Sequence, residues 1–88
     1  MLNAFVFLNC DIGKEYAILD EITDISGVSE AVELSGVYDI VAKVSGGSRE
    51  DIAKSVRKIR EIANIRSSLT MIASEEEHSV KQIEETMA

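Results

Sequence analysis

The chain has 88 residues, a net charge of −7 at pH 7 and a single cysteine. A chain this short forms one small domain whose core is marginal by itself, so oligomerisation or a covalent or metal staple is expected to help. One cysteine excludes an internal disulfide and a cysteine-rich metal cluster, and the acidic balance opposes the clustered Lys and Arg that nonspecific phosphate binding needs.

Residues 2–10, rich in apolar and aromatic side chains, read as a strand. The apolar run is too short to span a membrane and has no basic leader, so no signal peptide or membrane span is expected and the protein reads as cytoplasmic. Asp11 or the turn at Gly13 then starts a helix whose stripe is Ile18, Leu19, Ile22 and Ile25. Gly27 suits its stop, since glycine tolerates a left-handed backbone. Residues 29–35 and 38–45 read as the strands of a tight hairpin around Gly36. The loop Ser45-Gly46-Gly47-Ser48 leads to a second helix, with Ser48 as N-cap and Ile52, Val56, Ile59 and Ile62 or Ala63 as its stripe. Residues 65–73 read as the last strand.

The order strand, helix, strand, strand, helix, strand predicts an α+β, ferredoxin-like split βαβ sheet with both helices on one face. An internal echo supports the register. Ile22, Ile25, Val28 and Val32 recur 37 residues later as Ile59, Ile62, Ile65 and Leu69. Residues 74–88 lie outside that plan, are strongly acidic, and carry Val80, Ile83 and Met87 at helical spacing. A short third helix is expected there, opened by a capping box of Ser74 and Glu77.

The first strand points Leu2, Ala4, Val6 and Leu8 one way and Phe5 and Phe7 the other. Two helices cover one face only, so the second face calls for a second copy packed sheet to sheet. The alternative is that the third helix folds back over it.

Taken together, these pieces resemble the C-terminal effector (RAM) domain of the Lrp/AsnC, or feast/famine, transcriptional regulators. The resemblance covers residues 1–73. It rests on Ala4-Phe5-Val6, on Ile25-Ser26-Gly27-Val28, on Gly36-Val37-Tyr38-Asp39-Ile40, on the helix from Asp51 to Ile62, and on Ser67-Ser68-Leu69-Thr70-Met71-Ile72. It implies a dimeric α+β barrel, a homodimer through sheet faces, and tetramers or octamers of dimers. It also implies amino-acid effectors bound where dimers meet, and one way such a module could act is by binding full-length regulators of the same family. The chain then reads as the effector module alone, without the helix-turn-helix half, and no direct nucleic-acid contact is expected.

Carried over residue by residue, the candidate ligand site has two walls. One is Gly36, Val37, Tyr38 and Asp39, where Gly36 lets backbone N–H groups meet a carboxylate and Asp39 accepts from an ammonium. The other is Ser68 and Thr70, whose hydroxyls give and accept hydrogen bonds. This sequence departs from the family pattern at Ser67, Ser68 and Leu69. Asp39 has a plainer role open to it, bonding nearby backbone in the turn. Cys10 reads as a small hydrophobe and His78 as an exposed side chain; no metal or cofactor is implied. A structural oligomerisation domain without ligand is a second reading. A small cofactor-free monooxygenase or isomerase of similar fold is a third, which lacks a nucleophile-base pair or paired carboxylates to support it.

Overall fold

The structure is a computed structural model and describes residues 1–73. Its elements are β1 (Leu2–Cys10), α1 (Glu15–Thr23), β2 (Val28–Glu33), β3 (Ile40–Gly46), α2 (Arg49–Arg60) and β4 (Ile65–Ala73). The strands form one antiparallel sheet in the order β2-β3-β1-β4, the split βαβ arrangement. The expected third helix lies outside the described residues.

Alternation builds the core. Ala4, Val6, Leu8 and Cys10 of β1 and Ile40, Ala42 and Val44 of β3 are buried on one face. Against them pack Ile18 and Ile22 of α1 and Ile52, Val56 and Ile59 of α2, each set at helical spacing. Full burial of such a side chain is worth about 1.5–3 kcal/mol, so this layer carries most of the fold's stability. The other face has no helix among the described residues. Phe5, Val41 and Met71 are half-buried there, and Val32 and Leu69 are 44 % and 45 % exposed.

Local signals account for most boundaries. The Ser48 hydroxyl accepts from the Asp51 N–H at 3.2 Å and caps α2 as the sequence predicts. The regular turns of α1, by contrast, end at Thr23, earlier than the stop expected beside Gly27. A last turn persists because the Ile25 N–H bonds the Ile22 carbonyl at 3.0 Å, which keeps Ile25 against the core. The tight hairpin is also corrected. The strands stop at Glu33 and restart at Ile40, leaving a six-residue loop, Leu34–Asp39, closed by Leu34 N–H to the Asp39 carbonyl at 2.7 Å.

The echo of 37 residues is structural. The corners before β2 and β4 both turn through a left-handed residue, Gly27 at φ +97° and Asn64 at φ +74°. The two corner carbonyls hold the ends of the neighbouring strands: Gly27 accepts from Ser45 N–H at 2.8 Å and Asn64 from Asp11 N–H at 2.9 Å. At Gly27 the space is also tight, because a Cβ would run into the hydroxyl of buried Ser55. That hydroxyl donates to the Ser26 carbonyl at 2.7 Å.

Gly27→Ala is expected to destabilise the domain by about 2 kcal/mol, through left-handed strain plus the Ser55 collision. Urea denaturation measures it. The double variant with Ser55→Ala recovers part of the loss; no recovery would show that the collision contributes nothing.

Candidate functional site

The loop Leu34–Asp39 overhangs the helix-free face of the sheet. Beneath it opens a cleft of about 400 Å³ lined by Phe7, Leu34, Ser35, Gly36, Val37, Tyr38, Leu69 and Met71. Phe7 lies on β1, and its cross-strand neighbour on β4 is Leu69, while Met71 sits opposite Phe5. The Tyr38 ring tilts over Phe7 at a centroid distance of 5.4 Å, within the range in which aromatic pairs attract. The floor is therefore apolar and aromatic, and the roof is backbone.

The roof carries the polar chemistry. Gly36 has φ +148°, a region that favours glycine, and nothing crowds its Cα. The N–H groups of Ser35, Gly36, Val37 and Tyr38 make no backbone bond among the described residues. No lining side chain is charged. Such a cleft can take an apolar group on its floor and a small anion or carboxylate against its loop amides.

Of the residues singled out in the sequence, Gly36, Val37 and Tyr38 line this cleft and Asp39 closes its loop. Asp39 is fastened rather than free: its Oδ2 accepts from Cys10 N–H at 2.9 Å, and its own N–H donates to the Leu8 carbonyl at 2.9 Å. It ties the loop to the end of β1.

Ser68 and Thr70 are not brought to the cleft. They pair with Leu8 and Val6, so they face the helix layer, the opposite side of the sheet. Ser68 Oγ accepts from Arg60 Nε at 3.1 Å, and Thr70 Oγ1 is buried with no hydrogen-bond partner among the described residues. The second wall is Leu69 and Met71 instead. The signal for them was present in the sequence: Leu69 and Met71 oppose Ile72 in a strand of period two, which assigns Thr70 to the side of Ile72.

Cys10 is buried beside this anchor. Burial foremost, then the negative charges of Asp39, Glu15 and Asp11 and a hydrogen bond with Asp39, push its thiol above the ordinary cysteine value. In the unfolded chain the thiol ionises above about pH 8.5 while the folded one keeps its proton, so stability falls as pH rises beyond that point. Cys10→Ala is expected to flatten this slope in urea denaturation from about pH 8 to 10, and an unchanged slope would assign it elsewhere. Asp39→Ala, which leaves the Cys10 N–H without its acceptor, is expected to cost about 1–3 kcal/mol, whereas Asp39→Asn keeps an acceptor and most of the stability.

The comparisons with known proteins agree with this architecture. The family model of the Lrp/AsnC ligand binding domain matches residues 3–83, and so runs past Ala73 into the acidic stretch. Among solved structures, PHS023 of Pyrococcus horikoshii is 32% identical, with a TM-score of 0.80 over 89% of this chain and 95% of that one. FFRP-DM1 is 31% identical, with a TM-score of 0.78 over 84% and 100%. AsnC of E. coli is 26% identical, with a TM-score of 0.74 over 86% of this chain and 52% of its own. Among curated proteins, homocitrate synthase of Saccharolobus solfataricus is 29% identical over 72 residues, and that of Sulfolobus acidocaldarius 30% over 70. The chain spans only 16% and 15% of those enzymes.

Proposed function

The chain belongs to the Lrp/AsnC ligand-binding domain family, and from that premise we propose that it is an amino-acid-responsive regulatory module acting as an oligomer. The observation that carries this reading is the cleft under the Leu34–Asp39 loop, apolar below and lined by backbone amides above. An amino acid with an apolar side chain suits it. The side chain rests on Phe7, Leu69 and Met71, and the α-carboxylate meets the N–H groups around Gly36. Asp39 serves as the loop's anchor, and through its remaining carboxylate capacity attracts the α-ammonium.

The same face supports self-association. Phe5, Phe7, Val32, Val41, Leu69 and Met71 share one side of the sheet, with no helix over them among the described residues. A second copy packed sheet to sheet removes this surface from water and roofs the cleft, so ligand and dimer are coupled. Higher assemblies, tetramers or octamers of dimers, and contact with full-length regulators follow the same family logic. The module works in the cytoplasm.

The short match to homocitrate synthases fits a shared regulatory domain. Nothing in it carries the synthases' chemistry to this chain, which spans 16% of the S. solfataricus enzyme. The described residues hold no group of three or more His, Cys, Asp or Glu placed to bind a metal.

A thermal-shift screen of the protein against the twenty amino acids tests the proposal. A ligand at 100 times its dissociation constant stabilises by about 2.7 kcal/mol, which for a domain of this size is roughly 10 °C or more. One or two apolar amino acids are expected to give such a shift, and Gly36→Val to abolish it. Silence across the set would favour an oligomerisation domain without ligand. Leu69→Glu is expected to shift the protein from dimer to monomer in sedimentation, and an unchanged dimer would exclude the helix-free face as the interface.

A further inference from the structure

The outer side of the helix layer, away from the sheet, is covered by no element among the described residues. Its charge is divided between the two helices. Every charged residue of α1, Glu15, Asp20 and Glu21, is acidic, and Asp24 follows at its C-terminal cap. α2 carries Arg49, Lys54, Arg57, Lys58 and Arg60 against Glu50 and Asp51, so twelve residues hold five of the chain's nine Lys and Arg.

A groove of about 400 Å³ runs between the helices. Glu21 and Asp24 form its α1 wall, Lys58 and, at the end, Glu61 its α2 wall, and half-buried Ile25 and Ile62 its floor. Lys58 also lines the adjoining groove towards the Gly27 corner, together with Lys54 one turn earlier. Glu21, Asp24, Lys54 and Lys58 are all exposed, and among the described residues no ion pair joins α1 to α2. The α1 acids also stand where their own helix disfavours them. Asp20, Glu21 and Asp24 crowd the C-terminal end of α1, the negative end of its dipole, and no base lies in that last turn.

We propose that the helix layer is a second interface, on which another copy of this chain packs its own helix layer with α1 over α2. The proposal rests on the oligomer reading above and names the surface through which dimers join. The counter-charge that α1 lacks within its own chain then comes from the neighbour's α2. A two-fold axis along the groove brings the acidic wall of each copy over the basic wall of the other, so one arrangement of charge serves both sides. An axis across the groove would instead set α1 on α1 and α2 on α2, and like charges reject that pairing. The contact is polar with a narrow apolar strip, so it is sensitive to salt where the sheet face is not. The two interfaces lie on opposite sides of the molecule and form together.

Charge exchange tests the proposal on the full chain, read by sedimentation in low salt, where the Debye length exceeds about 10 Å. Glu21→Lys with Asp24→Lys makes the α1 wall basic like its neighbour, and Lys54→Glu with Lys58→Glu makes the α2 wall acidic. Each double variant alone is expected to form smaller species than the unaltered protein. Their mixture is expected to regain the larger species, which only contact between copies can produce. A mixture no larger than its components, or variants that assemble as the unaltered protein does, would overturn the proposal. In Leu69→Glu, where the sheet contact is removed, lowering the salt is expected to restore a dimer through the helices; a monomer at every salt would overturn the proposal too. The mixing result does not depend on the sheet face, so its failure is told apart from a failure of that reading, which Leu69→Glu reports.

Discussion

Every long strand of this domain carries apolar side chains on both faces, yet among the described residues the two helices cover only one. That imbalance governs the rest. β1 lies between β3 and β4 and presents Ala4, Val6 and Leu8 to the helices and Phe5 and Phe7 to the other side. The helix-backed layer supplies the stability of the fold. The uncovered layer is what remains available for recognition, and the loop that overhangs it converts part of a flat face into a cleft. The pleat of the strands thus separates the two layers, successive side chains along each strand turning to opposite faces.

The polar interactions serve geometry more than energy. The exposed ion pair of Arg66 with Asp11, at 3.7 Å, contributes little, as surface pairs do. Asp39 is different because it accepts from a main-chain N–H on another strand. It sets the height of the loop above Phe7, and with it the width of the cleft. A carboxylate that the sequence suggests as a ligand contact is first a fastening, and any hold it has on a ligand comes from what it has left to offer.

Much of the fold was legible in the sequence because period and turn chemistry act locally. The stripes of Ile18 with Ile22 and of Ile52, Val56 and Ile59 identified both helix faces, and Ser48 marked a helix start by an interaction three residues long. The hairpin was less legible. Its width depends on Asp39 reaching Cys10 and Leu8, partners that no local spacing announces. At the cleft, the glycine turn was legible as a distinct loop, and Gly36, Val37 and Tyr38 of that loop line the opening. Ser68 and Thr70, singled out for their hydroxyls, lie on the other side of the sheet from this cleft, as strand parity requires. Parity depends only on the pleat and pairing, and it places Leu69 and Met71 across from Phe7 and Phe5.

The two left-handed corners tell a further story. Gly27 and Asn64 occupy equivalent places in the two halves and make equivalent carbonyl bonds, yet only one has lost its side chain. Asn64 faces water, whereas Gly27 abuts Ser55 of the other half's helix. What both corners demand is a backbone angle; what only one demands is emptiness. A repeated unit of this kind can drift at its wet corner while the dry one stays locked, so divergence between the halves is steered by which corner the opposite helix leans against.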